Sequence, residues 1–223
     1  MRKETKKYFF SVEGETEKWY FEWLQRTINS TPTALYKVRF DCPIQKDPLK
    51  RAKGLITLEK TEITHIIDRE SEDEIHVQQF ETVLSRMKAA ENVGKSIKYC
   101  LGYSNFSFEL WIVLHKSDCN GSLTHRRQYL PLLNRAYAEQ FENLDQYKHE
   151  DNFKRILNKL TPTDVLQAIW RAKLIMRANH ENGYPLHQFK GFKYYTMNPS
   201  LSIWEIIEQV MNDCGLRSEY SKA

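Results

Sequence analysis

Short apolar runs and amphipathic stretches alternate along the first 103 residues of the chain. The apolar runs have the length of buried strands, and the stretches between them carry apolar residues at helical spacing. Strands are predicted at Lys7–Val12, Tyr36–Cys42, Ile63–Asp68 and Ile97–Leu101, and helices at Thr16–Asn29, from Asp47 and Pro48 onward, and at Glu74–Asn92. This alternation predicts an α/β fold, in which a small parallel sheet with right-handed crossovers is flanked by helices.

The pattern changes after Leu101, beyond which no further strand is predicted. Apolar residues then recur at helical spacing, and helix start signals precede several of these stretches. Helices are predicted at Phe108–His115, Thr124–Phe141, Asn152–Leu160 and Thr161–Asn179, with a last one opened by a capping box at Ser202 and ended by Gly215. We therefore predict an α/β domain over residues 1–118 and a helical region over residues 119–223 that packs on it.

The composition is that of an ordinary globular protein, with 41% hydrophobic and 28% charged residues. No apolar run approaches the roughly 20 residues that a membrane helix needs. The apolar stretch behind the basic N-terminus is too short for a secretion signal. We therefore expect a cytoplasmic protein without a membrane partner. Its four cysteines form no CxxC pair, and disulfides are not expected in that compartment.

Acidic residues directly follow two of the predicted strands. Glu13 comes after the first strand and before Gly14, which permits a tight turn, and Asp68 and Glu70 come at the end of the third. Open α/β sheets place their ligand crevice at the carboxyl ends of strands, so these side chains are expected to meet there. Because Mg²⁺ prefers carboxylate oxygens, all three are candidate metal ligands and catalytic groups. If one of them does not touch the metal, Glu13 is the candidate general base.

The same acids have a second interpretation as solvated strand ends and helix caps. Glu109 is a separate case because it lies within the otherwise apolar segment Phe106–Leu114. A carboxylate in such a place must find a partner or face a cleft. It is either a further metal or acid–base group, perhaps acting with His115, or a structural hydrogen-bond acceptor for backbone or Asn105. For His115 the structural interpretation is favoured.

Basic residues are concentrated in the later part of the chain, although the net charge is only +4. Residues 116–196 carry 13 basic and 8 acidic side chains, and aromatic and basic residues interleave over Tyr184–Tyr195. Such an excess suits a phosphate-rich partner, and rings beside cations are typical of single-strand binding. A solvated helical surface and a loop whose aromatics pack on the core explain the same features. The candidate nucleic-acid contacts are Arg171, Lys173, Arg177, Lys190 and Lys193.

Several segments match, in order, the motifs of one known family. Val12–Leu24 resembles the opening of the RloB family, which shows an E-G-x-x-T-E-x-x-Y-F signature after a strand. Ile66–Glu70 is similar to the family's D-R-D segment, and Tyr103–His115 is similar to its S-N-P-x-F-E-L-W-x-x-x-H segment. Asn198–Ser200 also resembles a family segment. The third motif is the most specific, because so many fixed residue types in one window rarely coincide by chance.

The resemblance implies a TOPRIM-like fold, in which a glutamate after the first strand and a D-x-D after a later one bind Mg²⁺ and support phosphodiester chemistry. Glu13 matches that glutamate and Asp68 matches the first aspartate. Glu70 stands where the second aspartate would be, and Phe106 replaces the usual proline. The longer Glu70 side chain moves its oxygens by about one methylene, and Glu still ligates Mg²⁺.

The function that the resemblance implies is a Mg²⁺-dependent or Mn²⁺-dependent nuclease in anti-phage defence. RNA and DNA are equally plausible substrates, a defence-associated ATPase is a candidate partner, and a homo-oligomer is expected. In this interpretation Glu13, Asp68 and Glu70 hold the metal and Glu109 is an auxiliary acid. The alternative is a non-catalytic effector or sensor with a vestigial acidic site, which binds a partner ATPase or a nucleic acid. Phosphotransfer or ligation on the same site is a third possibility.

Overall fold

The computed structural model of the chain describes residues 3–119, 121 and 123–217. Its main sheet consists of β1 (Thr5–Ser11), β2 (Lys37–Asp41), β3 (Thr61–Arg69) and β4 (Ile97–Asn105). The strand order is β2-β1-β3-β4, and every neighbouring pair is parallel. The predicted α/β fold with a small parallel sheet is therefore confirmed, and it is consistent with a TOPRIM-like fold.

Three helices connect these strands and cover both faces of the sheet. They are α1 (Glu15–Ser30), α2 (Pro48–Gly54) and α3 (Glu74–Ala90). Ile66 of β3 belongs to the hydrophobic cluster that contains α1, whereas the next residue, Ile67, belongs to the cluster that contains α2 and α3. Successive strand residues point to opposite faces, so the continuous apolar run of β3 serves two cores at once.

The helical part of the chain extends the core on the α1 side. It comprises α4 (Glu109–Leu114), a short 3₁₀ helix (Arg126–Gln128), α5 (Tyr129–Tyr137), α6 (Leu144–Lys148), α7 (Glu150–Leu157), α8 (Pro162–Glu181) and α9 (Ile203–Asp213). Side chains from these helices share one buried cluster with Tyr20 and Phe10. The boundary at residue 118 between two regions stays a prediction. The helix predicted over Thr124–Phe141 is shorter, because Ala138 adopts a left-handed conformation with a φ of 53° and ends it.

Two short strands in the later part of the chain contradict the expectation that none follows Leu101. β5 (Leu186–Phe189) and β6 (Phe192–Tyr195) form an antiparallel hairpin. Lys190 and Gly191 make its turn with φ values of 52° and 92°, and a residue pair with positive φ is what a tight hairpin turn needs. Tyr194 is buried against Phe80 of α3, with ring centroids 5.0 Å apart. Phe189 and Phe192 of the hairpin pack against the same hydrophobic cluster as Tyr194.

The segment before α9 closes the outer edge of β4. The backbone N–H of Asn105 donates to the Ser200 carbonyl at 3.0 Å, and that of Ser202 donates to the Tyr103 carbonyl at 2.8 Å. The last helix begins where it was predicted, with Ser202 at its N-cap position, but the predicted capping box is absent because the Ser202 side chain makes no capping bond. Its hydroxyl instead donates to the Leu101 carbonyl at 2.7 Å and accepts from the Tyr103 N–H at 3.1 Å.

Candidate active site

The turn from β1 into α1 brings two glutamates to the carboxyl edge of the sheet. Glu13 follows the strand and is half-buried, and Glu17 lies in the first turn of α1 and is buried. The Glu17 carboxylate folds back over Gly14, where a Cβ atom would lie only 2.9 Å from Oε2. The Thr16 hydroxyl donates to the same oxygen at 3.1 Å. A side chain at position 14 would therefore require the Glu17 carboxylate to move.

Asp68 comes to the same edge from the neighbouring strand. Ser11 of β1 lies opposite His65 of β3, so Glu13 and Asp68 lie two and three residues beyond one paired position. Asp68 keeps some exposed surface, yet it is densely surrounded by protein atoms. The sheet therefore brings together the two acids that sequence pattern predicted at adjacent strand ends.

Glu109 begins α4 directly after the β4 edge, and its side chain is fully buried. The Lys148 ammonium, at the end of α6, lies 3.2 Å from Glu109 Oε1 in an ion pair. The geometry of that contact is not that of an aligned hydrogen bond, and within the described part of the chain neither Glu109 oxygen has a hydrogen-bond partner. Buried polar atoms are normally satisfied, so Glu109 is an exception that calls for a ligand.

These acids act on one another electrostatically. Burial raises the pKa of Glu13 to about 7, and the negative charges of Glu17 and Glu70 raise it as well, against the Lys46 ammonium and the Asp68 backbone amide. Burial and the charges of Glu17, Glu109 and Glu13 hold the pKa of Asp68 well above its usual range. Burial and Glu109 also raise the pKa of Glu17. Like charges in a poorly solvated place disfavour ionisation.

Lys148 belongs to the same electrostatic unit. Burial lowers the pKa of its ammonium group, but the negative charges of Glu109, Asp68 and Glu17 outweigh burial and raise that pKa overall. We call Glu13, Glu17, Asp68 and Glu109 the acidic cluster, and Lys148 is its ion-pair partner. Across the described residues, no three His, Cys, Asp or Glu side chains are already arranged to hold a metal ion.

Glu70 was predicted as a third metal ligand, but its side chain turns away from the other acids. It is 44% exposed, and its Oε2 lies 3.5 Å from His76 Nε2 and 3.7 Å from an Arg126 nitrogen. It still lines the main cleft with Glu13 and Asp68. Its role as a ligand stays a prediction.

Two clefts flank the acidic cluster. The larger has a volume of about 590 Å³ and is lined by Glu13, Asp68 and Glu70, together with Lys46 and residues of α3. The other has a volume of about 480 Å³ and is lined by the basic residues Arg126, Arg127 and Lys148 and by the acidic residues Glu142 and Asp145. The cluster is therefore reachable from solvent on the Glu13 side, and Lys148 borders a separate, mixed-charge cleft.

Asn105 and His115, the predicted auxiliary residues, make structural hydrogen bonds, and of their side-chain polar atoms only the buried Asn105 Oδ1 has no hydrogen-bond partner in the described part of the chain. The Asn105 side-chain amide donates to the carbonyls of Tyr195, Thr196 and Met197 at 3.3, 3.1 and 2.7 Å. His115 is buried between the Tyr20 hydroxyl, 3.1 Å from Nε2, and the Trp111 carbonyl, 2.9 Å from Nδ1. These distances fit a tautomer that donates from Nδ1 and accepts at Nε2.

The predicted nucleic-acid contacts lie on α8 and on the hairpin, apart from the acidic cluster. Arg171 donates to Asp118 and to the Leu114 carbonyl, each at 2.8 Å, and Lys173 pairs with Glu208. Arg177 faces Glu181 at 3.7 Å. Lys190 and Lys193 border a cleft beside the first half of β4, whereas the acids lie at its far end. Their binding of nucleic acid stays a prediction.

Sequence reasoning missed two members of this site, Glu17 and Lys148. Glu17 lies in the first helical turn, where an acid is ordinary because it interacts favourably with the helix dipole. The available signal was the second glutamate of the E-G-x-x-T-E signature. Lys148 comes from α6, a five-residue helix that was not predicted, and no local pattern distinguishes it from other surface lysines.

Fold and site together define an α/β protein with a carboxylate-rich site at the carboxyl edge of a parallel sheet. The family model described as RloB-like protein matches residues 8–210, and the chain belongs to the RloB-like family. That span includes the whole acidic cluster and Lys148. No curated protein and no solved structure matches the chain. No helix among the described residues is long and apolar enough to cross a membrane.

Proposed function

We propose that this protein is a Mg²⁺-dependent nuclease that cleaves phosphodiester bonds of RNA or DNA in anti-phage defence. The acidic cluster is the observation that carries the proposal. Its four carboxyl groups come from the turn after β1 and from α1, β3 and α4, and Lys148 acts on three of them, Glu17, Asp68 and Glu109. Buried like charges raise the free energy of the folded state, and a divalent cation relieves this repulsion.

The donor chemistry of the cluster fits a hard cation. Asp68 and Glu109 would hold the metal through carboxylate oxygens, and the two Glu109 oxygens without hydrogen bonds in the described structure are the strongest support for this assignment. When bound, Mg²⁺ neutralises charge on a phosphate and makes water more acidic. Mn²⁺ has the same preference for oxygen ligands.

Glu13 is the proposed general base. Its pKa of about 7 is near neutral pH, where a base combines a sufficient ionised fraction with sufficient basicity. It lines the larger cleft, so its carboxylate is accessible to a water molecule beside a phosphate. The proton would pass from that water to a Glu13 oxygen, and burial together with the negative charges of Glu17 and Glu70 would keep Glu13 from being too weak a base.

The substrate backbone is assigned to cations beside the cluster. Lys46 lines the larger cleft, and Arg126 of the second cleft lies 3.7 Å from Glu70, which lines the larger one. Both are exposed and can therefore contact phosphate groups. Contacts from α8 and the hairpin remain a prediction for a longer substrate, as do a partner ATPase and a homo-oligomer.

Metal-dependent cleavage by matched variants tests the proposed function. Labelled single-stranded and duplex RNA and DNA are incubated with the wild type and with Glu13→Gln and Asp68→Asn, in Mg²⁺, in Mn²⁺ and with a chelator. We expect cleavage by the wild type that the chelator stops, and a loss of about 100-fold or more in both variants. Glu15→Gln is the matched control, because Glu15 lies in the same turn but is exposed. Equal cleavage by the wild type and both site variants would refute the proposal.

A non-catalytic defence effector that binds a partner ATPase or a nucleic acid is the second candidate. The exposed position of Glu70, and the lack of a ready-made ligand set among the described residues, favour it. Isothermal titration with Mg²⁺ and Mn²⁺ separates the two candidates. A nuclease must release or absorb heat and gain thermal stability with metal, whereas a vestigial site gives neither signal.

A further inference from the structure

Lys148 is held in position by a rigid anchor. It ends α6, and the adjacent Tyr147 is fully buried between Phe141 and Phe153, with ring centroids 5.9 and 5.5 Å away. Asn143 caps the helix start by accepting from the Gln146 N–H at 2.8 Å. These contacts position the backbone of Lys148. Its ammonium therefore lies beside the acidic cluster because of how α6 packs.

One ammonium satisfies the cluster incompletely. It contacts Glu109 Oε1 at 3.2 Å, whereas Glu109 Oε2 and the neighbouring Tyr147 hydroxyl are without hydrogen bonds in the described ranges. Its single positive charge is also shared with the carboxyl groups of Asp68 and Glu17. Oxygens bind Mg²⁺ at about 2.0–2.1 Å, so a metal bound to Glu109 Oε1 on its Lys148 side would occupy the place of the ammonium, which lies 3.2 Å from that oxygen. Lys148 and a metal therefore compete for Glu109.

A solvent-accessible cleft lies next to the Lys148 ammonium. The Lys148 side chain is 38% exposed, whereas that of Glu109 is wholly buried. Lys148 lines the cleft that holds Arg126 and Arg127. Rotation about its side-chain bonds takes the ammonium from the cluster towards that cleft, where water solvates it and where a phosphate would be attracted by all three cations.

We propose that Lys148 is a resident cation of the metal-free site, that a divalent metal displaces its ammonium from Glu109, and that Lys148 thereby sets the metal affinity. This inference rests on the proposed function for the existence of the metal site. It adds that the metal-free and metal-bound states differ in which cation neutralises Glu109. It also assigns the released ammonium to the phosphate groups of the substrate.

Chemical labelling of the wild-type protein tests the displacement without any substitution. Limited reductive methylation of lysines, quantified by mass spectrometry, is carried out with a chelator and with saturating Mg²⁺. We expect labelling of Lys148 to rise several-fold with Mg²⁺, because the ammonium leaves its ion pair. Lys154 is the internal control, since its exposed pair with Glu150 lies outside the cluster. Unchanged or reduced labelling of Lys148 overturns the proposal.

Metal titration of variants tests the affinity. We expect Lys148→Met to bind Mn²⁺ about tenfold more tightly than the wild type and to gain more thermal stability from it. Lys154→Met is expected to match the wild type. If Lys148→Met does not fold, Lys148→Gln replaces it and the labelling result still decides. Weaker or equal binding by the variant contradicts the proposal. A wild type that binds metal and cleaves nucleic acid while Lys148 stays unlabelled leaves the proposed nuclease function intact and defeats this inference alone.

Discussion

Glu109 and His115 lie six residues apart in one segment, both are buried, and their surroundings are opposite. His115 has a partner for each ring nitrogen, and burial lowers its pKa to about 4, so it is neutral at neutral pH. Glu109 has an ion pair to one oxygen and, in the structure as described, no hydrogen bond to either. A buried polar residue whose bonds are complete stabilises the fold, whereas one left incomplete is free to bind something else.

Substitution of Glu109, whose hydrogen bonds are incomplete, is expected to have the largest effect on cleavage. Glu109→Gln should lower metal-dependent cleavage by about 100-fold or more and weaken metal binding, because one proposed ligand loses its charge. The melting temperature without metal should not fall, since the variant also removes repulsion within the acidic cluster. Cleavage assays, titration and thermal melts check these three outcomes. Cleavage at the wild-type rate would show that Glu109, like His115, has a structural role.

Substitution of His115, whose hydrogen bonds are complete, should lower the stability of the fold rather than cleavage. His115→Leu leaves the Tyr20 hydroxyl without its acceptor, which costs about 1–3 kcal/mol. For a chain of this size the melting temperature falls by about 2–4 °C per kcal/mol. Cleavage per folded molecule should stay within about threefold of the wild type. Tyr20→Phe is the paired variant, and the double substitution should cost less than the sum. A large loss of cleavage in folded His115→Leu would break the comparison.

The pH dependence of stability sharpens the contrast on the acidic side. The pKa of Glu13 is raised from 4.5 to about 7, so the folded state binds the proton more tightly than the unfolded state. Metal-free stability is therefore fully supported below about pH 4.5 and falls as the pH rises through 7. Glu13→Gln has no carboxyl group to ionise at this position. The melting temperature of the variant minus that of the wild type should therefore increase by a few degrees between about pH 5 and pH 8. Glu15→Gln should show no such gain.

The smallest effect concerns the phosphate contacts. Arg126→Ala should weaken binding of nucleic acid about threefold to tenfold and reduce its salt dependence by about one ion. Lys173→Ala should change affinity by less than about twofold, because Lys173 already pairs with Glu208. Fluorescence anisotropy at several salt concentrations measures both. The reverse ranking would move the nucleic-acid surface to α8, where the sequence pattern predicted it.

The sequence predicted the sheet and part of the site because both depend on local patterns. Apolar runs followed at once by acids placed Glu13 and Asp68 at adjacent strand ends, and β1 and β3 are neighbours in the sheet. Glu109 was found because a charge inside an apolar run is conspicuous. Glu70 could not be judged in this way, since its direction depends on His76 and Arg126, which contact it through the tertiary structure.

The remaining features depend on contacts between distant parts of the chain. Lys148 meets Glu109 only because Tyr147 is buried beside α7, and no local pattern encodes that meeting. The hairpin was missed because its strands have four residues each and their alternation of rings and cations also matches nucleic-acid binding. Whether a mixed aromatic and basic segment is a strand or a binding loop is decided by packing on α3.

The closure of β4 limits how two copies of the chain could associate. A strand with open N–H and carbonyl groups along its margin is a template for pairing with another molecule. Here the Ser200–Ser202 backbone already occupies those groups at Tyr103 and Asn105. A dimer built by continuing the sheet at the carboxyl end of β4 would first have to detach the segment that leads into α9.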